Sequence, residues 1–255
     1  MSGKSLTKQM IYYDEIDSTN LEAHRLAKKG GEHGIVVAAG SQSAGRGRLG
    51  RSWNSPAESN IYMSLLLRPD LEPDQAPMLT LVMACSVAET IRETTGLDAQ
   101  IKWPNDIVVN GKKVCGILTE MNAEVGRINY VVIGVGINVN TEGFPEELQE
   151  MATSLSMEAA RTFFKEDILS EVLTHFEKDY AIFIKTGSFR KLKSRYENLL
   201  VNRGKMVKIL GETEPYQALA LGINEKGELL VRREDGSETT VYAGEVSVRG
   251  IYGYV

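Results

Sequence analysis

The chain has 255 residues, 42% of them hydrophobic and 25% charged, a balance that excludes disordered, collagen-like and low-complexity classes and allows a sizeable core. Its 29 basic and 34 acidic residues give a net charge of −5, so no global positive field attracts nucleic acid or anionic lipid. Two cysteines in apolar segments, no secretory signal and no apolar run of membrane-spanning length predict a cytoplasmic protein without membrane contact. The three scattered histidines have no metal-ligand spacing, and we expect no metal site.

Strand and helix patterns alternate through the first 200 residues. Hydrophobic periodicity predicts strands at residues 10–13, 35–39, 61–67, 101–109, 114–120 and 128–139. It also predicts helices at residues 21–27, 77–96, 163–185 and 189–200. Thr19 and Glu22 match a capping box at the first helix, and Asn110-Gly111 is typical of a tight hairpin turn. These elements predict an α+β domain with a mixed or antiparallel sheet flanked by helices.

The pattern changes after residue 203. Short strand-like segments follow at residues 206–209, 216–221, 229–232 and 239–242, separated by turns rich in Gly, Glu and Asn. Such segments are typical of a small β-barrel. We therefore expect a larger domain at residues 1–200 and a barrel domain at residues 201–255.

A glycine-rich, basic segment follows the predicted strand at residues 35–39. Residues 45–50 match the dinucleotide fingerprint G-x-G-x-x-G, but Trp53 and Pro56 lie where that fold requires a helix, which argues against it. Between His33 and Ala57 there is no acidic residue, and this stretch contains Arg46, Arg48 and Arg51. Guanidinium groups and glycine backbone amides together favour the binding of an anion, such as a phosphate or a carboxylate. The alternative interpretation is a solvated arginine-rich loop without a ligand.

A lysine stands before a tryptophan and a proline at residues 102–104. At the end of a sheet strand, such a lysine is a positive charge whose position is set in advance, as transition-state stabilisation requires. A purely structural role for the segment is an equal alternative. Ser18 and Thr19 likewise fit helix capping as well as ligand binding.

Six motifs in chain order together resemble the biotin protein ligases, the enzymes that attach biotin to the carrier domain of biotin-dependent carboxylases. They are Asp17-Ser18-Thr19-Asn20, Gln42 ahead of Gly45-Arg46-Gly47-Arg48-Leu49-Gly50-Arg51-Ser52-Trp53, Lys102-Trp103-Pro104-Asn105-Asp106, Gly116-Ile117-Leu118, Gly134-Val135-Gly136-Ile137-Asn138 and Gly244-Glu245-Val246-Ser247-Val248-Arg249. The resemblance covers nearly the whole chain. It implies a class II synthetase-like catalytic domain followed by an SH3-like barrel.

The resemblance also implies roles for individual residues. Biotin would be bound by Ser18, Thr19, Asn20, Gln42, Arg46, Gly47, Arg48, Lys102 and Gly116. ATP or the adenylate would be bound by Arg48, Trp53, Asn105, Lys113, Asn138, Glu245 and Arg249. Lys102, Arg48 and Asp106 would carry the catalysis, with Asp106 orienting the acceptor amine.

The implied reaction joins biotin to ATP, with Mg²⁺ on the phosphates, and then transfers biotin from the adenylate to a lysine of the biotin carboxyl carrier protein. Neither step needs an enzyme nucleophile, and the sequence has no Gly-x-Ser-x-Gly elbow. Because the first motif begins at Asp17, no helix-turn-helix fits before it, and we expect a ligase without DNA binding that forms a homodimer through its sheet. A lipoate-type ligase and a non-catalytic biotin or nucleotide sensor are the alternatives.

Overall fold

The computed structural model describes residues 6–57, 59–211, 214–243, 247–250 and 254–255. Seven strands form a mixed sheet in the order β1-β2-β3-β7-β6-β5-β4, in which only β1 and β2 run parallel. They are β1 (Gln9–Ile16), β2 (Ile35–Gln42), β3 (Ile61–Leu67), β4 (Gln100–Lys102), β5 (Asp106–Val109), β6 (Lys112–Glu124) and β7 (Arg127–Ile137). The predicted mixed sheet is confirmed.

Helices cover both faces of this sheet. They are α1 (Thr19–Lys28), α2 (Met78–Thr95), α3 (Leu155–Ala159), α4 (Lys165–Thr186) and α5 (Arg190–Leu199). Side chains alternate along β7, so Tyr130 and Val132 pack with α1, whereas Val131 and Ile133 join the larger core built around α2 and α4. The face that carries α1 therefore has the smaller apolar cluster and leaves room for polar groups.

A second, all-antiparallel sheet follows α5, as the pattern after residue 203 predicted. Its strands lie in the order β11-β10-β9-β8-β12. They are β8 (Met206–Leu210), β9 (Tyr216–Ile223), β10 (Leu229–Arg232), β11 (Glu238–Val241) and β12 (Ser247–Gly250). The sequence patterns had missed β12 and the short helix α3, neither of which is long enough for a clear periodicity.

Trp103 joins the two sheets. Its indole is 1% exposed, and its Nε1 donates a hydrogen bond to the carbonyl of Gly227, 2.9 Å away. Its backbone amide donates to Asn202 Oδ1, also at 2.9 Å.

Within the described residues, no helix is both long and apolar enough to cross a membrane.

Two local predictions were wrong. Residues 101–109 are not one strand, because Trp103, Pro104 and Asn105 reverse the chain and fold β4 back onto β5, with Gln100 opposite Val108. The capping box at α1 is absent as well. Ser18 is the N-cap and makes no side-chain capping bond, while the Thr19 hydroxyl donates to a glutamine 23 residues away.

Candidate active site

Strand register brings distant motifs to one end of the mixed sheet. Because β1 and β2 are parallel, with Ile16 opposite Gln42, the turn into α1 and the loop after β2 leave the same edge. Across the sheet, Asp106 pairs with Gly116, and Gly116 pairs with Gly136. The loop after β2 and the start of α1 therefore meet the middle strands of the sheet.

A cavity of about 50 Å³, here called the inner cavity, lies where these segments meet. Its lining includes Ser18, Thr19, Asn20, Gln42, Arg46, Gly47, Arg48, Trp53, Asn105, Lys113, Gly116, Gly134 and Gly136. Every residue predicted to bind biotin is among them except Lys102.

Polar side chains of the inner cavity hold one another in fixed orientations. Gln42 Oε1 accepts hydrogen bonds from the backbone amide of Thr19 at 2.9 Å and from its hydroxyl at 3.1 Å. Gln42 Nε2 donates to Ser55 Oγ at 2.8 Å, which orients the amide. Ser64, fully buried on β3, lies 2.8 Å from Thr19 Oγ1 and donates to Asn20 Oδ1 at 2.6 Å. The pocket is thus organised before any ligand arrives, which lowers the entropic cost of binding.

Glu120 on β6 holds two residues that line the inner cavity. It accepts a hydrogen bond from Asn20 Nδ2 at 2.8 Å, and its other oxygen lies 3.1 Å from an Arg46 guanidinium nitrogen. The hydrogen bond from His24 and that from Asn20 hold the pKa of Glu120 below its usual value, although burial opposes them. The motifs did not identify Glu120 or Ser64. Ser64 pairs with Gly134 across β3 and β7, and Glu120 lies two positions beyond Leu118, which pairs with the same glycine. Both positions follow from strand register rather than from a motif.

Three glycines form the floor of the inner cavity. A Cβ added at Gly136 would lie 2.6 Å from Trp53 Nε1, and one at Gly116 would lie 2.9 Å from Trp53 Cζ3. A Cβ at Gly134 would collide with Asn20 Oδ1. The indole of Trp53 therefore rests on bare backbone, and its buried Nε1 has no hydrogen-bond partner in the part of the chain that the structure describes.

Lys102, Asp106 and Lys113 form a buried charge cluster beside the inner cavity. Asp106 Oδ1 lies 2.5 Å from Lys113 Nζ, and its Oδ2 lies 4.0 Å from Lys102 Nζ. Burial lowers the pKa of Lys102 to about 8, although Asp106 opposes the shift. Burial raises the pKa of Asp106, but the ammonium groups of Lys113 and Lys102 outweigh it and keep this carboxyl ionised.

Arg48 closes one side of the inner cavity. The loop makes a bridge between Arg46 and Ser52, and Arg48 begins a single 3₁₀ turn within it. Its guanidinium donates to Asn105 Oδ1 at 2.9 Å and to the carbonyl of Ala243, in the turn that follows β11. Burial lowers the pKa of Arg48. This arginine therefore ties the glycine-rich loop to both parts of the molecule.

A larger cavity of about 400 Å³, here called the outer cavity, adjoins the inner one. The two cavities share Trp53 and Lys113. Of the residues predicted to bind ATP, the outer cavity is lined by Trp53, Lys113, Asn138 and Arg249, whereas Arg48 and Asn105 line the inner cavity. Glu245 lies outside the described residues. Arg51 also lines the outer cavity and was missed as a site residue, although it belongs to the basic loop.

Comparisons with known proteins identify the family to which the two parts of the fold belong. The Biotin/lipoate A/B protein ligase family matches residues 12–138, and the Biotin protein ligase C terminal domain matches residues 204–249. The bifunctional ligase/repressor BirA of Bacillus subtilis (strain 168) is 39% identical over 243 residues, which cover 94% of this chain and 74% of that protein. The biotin–[acetyl-CoA-carboxylase] ligase of Paracoccus denitrificans is 30% identical over 92% of this chain and 98% of its own length.

A solved structure is similar over almost its whole length. The biotin protein ligase from Aquifex aeolicus in complex with biotin and ATP has a TM-score of 0.83 and 33% sequence identity. The similarity covers 95% of this chain and 99% of that chain.

The mixed sheet, the second antiparallel sheet and the paired cationic cavities define an enzyme of the ligase class. Both parts of the fold match family models, and the curated relatives cover nearly the whole chain. The chain belongs to the biotin protein ligase family.

Proposed function

We propose that this protein biotinylates a specific lysine on the biotin carboxyl carrier domain of a carboxylase, using ATP. A carboxylate oxygen of biotin attacks the α-phosphorus of ATP, the bond to the β-phosphate oxygen breaks, and pyrophosphate leaves. The lysine amine then attacks the acyl carbon of biotinyl-5′-AMP, loses a proton, and AMP leaves. One observation carries the proposal: two cationic cavities share Trp53 and Lys113, with buried Lys102 beside them.

In this proposal the inner cavity takes the ureido ring of biotin. Ser18, Thr19, Asn20 and Gln42 offer donors and acceptors to that ring, and the backbone of Gly116 lines its apolar side. At about 50 Å³ the cavity is far below the roughly 300–1,000 Å³ of ordinary ligand pockets. We infer that Trp53 leaves the glycine floor when biotin enters, because its indole rests there on Gly116 and Gly136.

The outer cavity takes ATP, with Mg²⁺ bound to the phosphates as part of the substrate. Lys113, Arg51 and Arg249, which line this cavity, supply positive charge for the phosphates. The family pattern assigns Asn105, Asn138 and Trp53 to the adenine side, and it assigns Glu245 to a contact with ATP. Lys102 and Arg48 stabilise the charge that develops between the biotin carboxylate and the α-phosphate. Arg46, Gly47 and Arg48 close the loop over the adenylate and exclude water, which protects a reactive mixed anhydride.

Asp106 orients the acceptor amine in the second step. It is ionised, so its carboxylate can accept a hydrogen bond from the lysine amine. We further propose a catalytic domain at residues 1–200, a barrel domain at 201–255, a homodimer formed through the mixed sheet, and a cytoplasmic location. These assignments follow from the residue patterns and the family.

The test is exchange of labelled pyrophosphate into ATP with Mg²⁺ and without acceptor, run in parallel with biotin, lipoate and octanoate. Exchange with biotin alone supports the adenylation step. Exchange with lipoate instead means that the protein is a lipoate-type ligase, and no exchange with any acid means a non-catalytic sensor. Transfer of biotin to a purified carrier domain then tests the second step, with the carrier lysine changed to alanine as the control.

A further inference from the structure

Tyr254 lies in the active site although it is five positions beyond the matched C-terminal family model, which ends at residue 249. Residues 254 and 255 lie back against the mixed sheet. A Cβ added at Gly111, in the turn between β5 and β6, would lie 3.2 Å from Val255 Cγ2. Tyr254 itself lines the outer cavity together with Arg51, Lys113 and Arg249.

The Tyr254 side chain contacts both partners of the Lys102–Asp106 pair. Its hydroxyl donates a hydrogen bond to Asp106 Oδ2, the oxygen that faces Lys102. The face of its ring lies 3.6 Å from Lys102 Nζ, within the range of a cation–π interaction. Lys102 Nζ remains 4.0 Å from Asp106 Oδ2, too far for a hydrogen bond, and it makes none with the described residues.

We propose that Tyr254 is a positioning residue of the adenylation step, which keeps the Lys102 ammonium from pairing with Asp106. The hydroxyl occupies the carboxylate oxygen that the ammonium would otherwise approach. The ring stabilises the positive charge without an N–H···O bond, so the donors of Lys102 stay available for the biotin carboxylate and the α-phosphate. This inference rests on the proposed function.

The test uses the full chain and the biotin-dependent pyrophosphate exchange, comparing Tyr254→Phe with wild type. The substitution keeps the ring but frees Asp106 Oδ2, so Lys102 moves onto the carboxylate. We expect kcat for exchange to fall about tenfold, as for loss of one hydrogen bond to a charged group, with an unchanged biotin Kd. Tyr216→Phe is the matched control, because the Tyr216 ring also carries a cation, Arg233, 4.3 Å from its centroid, away from both cavities.

A double-variant cycle separates this role from a purely structural one. In the Asp106→Asn background the neutral amide no longer attracts the ammonium, so Tyr254→Phe should cause no further loss of exchange. Because Asp106 also supports the charge of Lys102, exchange in this background is lower than in wild type, and the comparison is made between Asp106→Asn and the double variant. Additive losses, or a parallel loss of biotin affinity and of unfolding free energy, would overturn the proposal.

The pH profile gives an independent readout. Lys102 is surrounded by Asp106, Lys113, Arg51, Arg249 and the Tyr254 ring. Closer approach to Asp106 in Tyr254→Phe raises the pKa of Lys102, so the basic limb of kcat/KM moves to higher pH. If wild type is active and Tyr254→Phe leaves both the basic limb and kcat unchanged, the role of Tyr254 is wrong and the proposed function stands. If wild type shows no exchange at all, the proposed function itself is rejected.

Discussion

Two requirements conflict at Lys102, because burial and neighbouring cations disfavour the positive charge that the proposed reaction needs. It is 5% exposed and has Lys113, Arg249 and Arg51 within electrostatic reach, all of which disfavour its charge. Among the charged groups of the described residues, Asp106 alone favours the ammonium, across 4.0 Å, and the Tyr254 ring adds a cation–π contact. An ammonium that its own protein compensates poorly gains most when an anion arrives, which is the condition for stabilising a transition state rather than a ground state.

The pH dependence of adenylation follows from this conflict. Burial lowers the pKa of Lys102 to about 8, so the ammonium is charged below that pH and neutral above it. Because the reaction needs the charge, we expect kcat/KM for pyrophosphate exchange to fall as the pH rises through about 8. Lys102→Gln should remove this limb together with most of the exchange but leave the biotin Kd nearly unchanged. A profile that stays flat to pH values well above 8 would contradict this role.

At the scale of elements, the glycines of β6 and β7 decide what can lie on the sheet. Gly116 and Gly136 are opposite one another, and Gly134 lies two positions away on the same face. Any side chain there would meet Trp53 or Asn20. The glycines are therefore needed for close approach, not for an unusual backbone conformation.

Gly134→Ala tests this close approach. Its Cβ would collide with Asn20 Oδ1, so we expect biotin affinity to fall at least tenfold, because Asn20 can no longer bond to both Ser64 and Glu120. Adding Asn20→Ala should relieve the collision and restore the unfolding free energy without restoring affinity. Titration calorimetry and urea unfolding give the two measurements, and normal biotin affinity in Gly134→Ala would refute the steric argument.

The loop of residues 45–53 depends on a second element for its closure. Arg48 contacts Asn105 on the β4–β5 turn and Ala243 in the turn after β11, so it connects two parts of the fold. A planar guanidinium can serve both acceptors at once, whereas an ammonium is a single point charge.

Arg48→Ala should release the loop and let biotinyl-adenylate escape. We expect faster release of free adenylate and of its hydrolysis products during turnover without acceptor, measured by chromatography. Arg48→Lys keeps the positive charge but not the planar guanidinium, so we expect its release of free adenylate to lie between that of wild type and that of Arg48→Ala. Equal release from wild type and both variants would mean that Arg48 does not hold the loop closed.

At the scale of the whole molecule, the second sheet is part of the site's support. Trp103 follows Lys102 directly and is fixed by Gly227 and Asn202. Arg48 and Tyr254 add contacts between the second sheet's segments and the site. The position of the Lys102 ammonium is thus set from both sides of the proposed domain boundary.

Trp103→Phe should weaken this connection. It removes the hydrogen bond to the Gly227 carbonyl and leaves a cavity, so we expect a loss of about 1–3 kcal/mol in the free energy of unfolding by urea. Trp53→Phe is the control, because the Trp53 Nε1 has no hydrogen bond to lose within the described residues. If both variants lose the same free energy of unfolding, the hydrogen bond from Trp103 to the Gly227 carbonyl contributes nothing specific to stability.

Local chemistry allowed the sequence to determine much of this protein. Asn110 and Gly111 form the predicted turn with φ values of 49° and 78°, and α2 ends at Gly96 with a φ of 78°, as periodicity and glycine indicated. The basic loop and the segment from Lys102 also predicted an anion site, because charge and backbone stiffness are local properties.

Only the tertiary structure decided which groups control that chemistry. Ser64 meets Asn20 from 44 positions away, Glu120 from 100, and Tyr254 meets Asp106 from 148. Such contacts depend on strand order and register, which no window of sequence contains. The lowered pKa of Lys102 has the same origin, since burial and neighbouring charges exist only once the chain has folded.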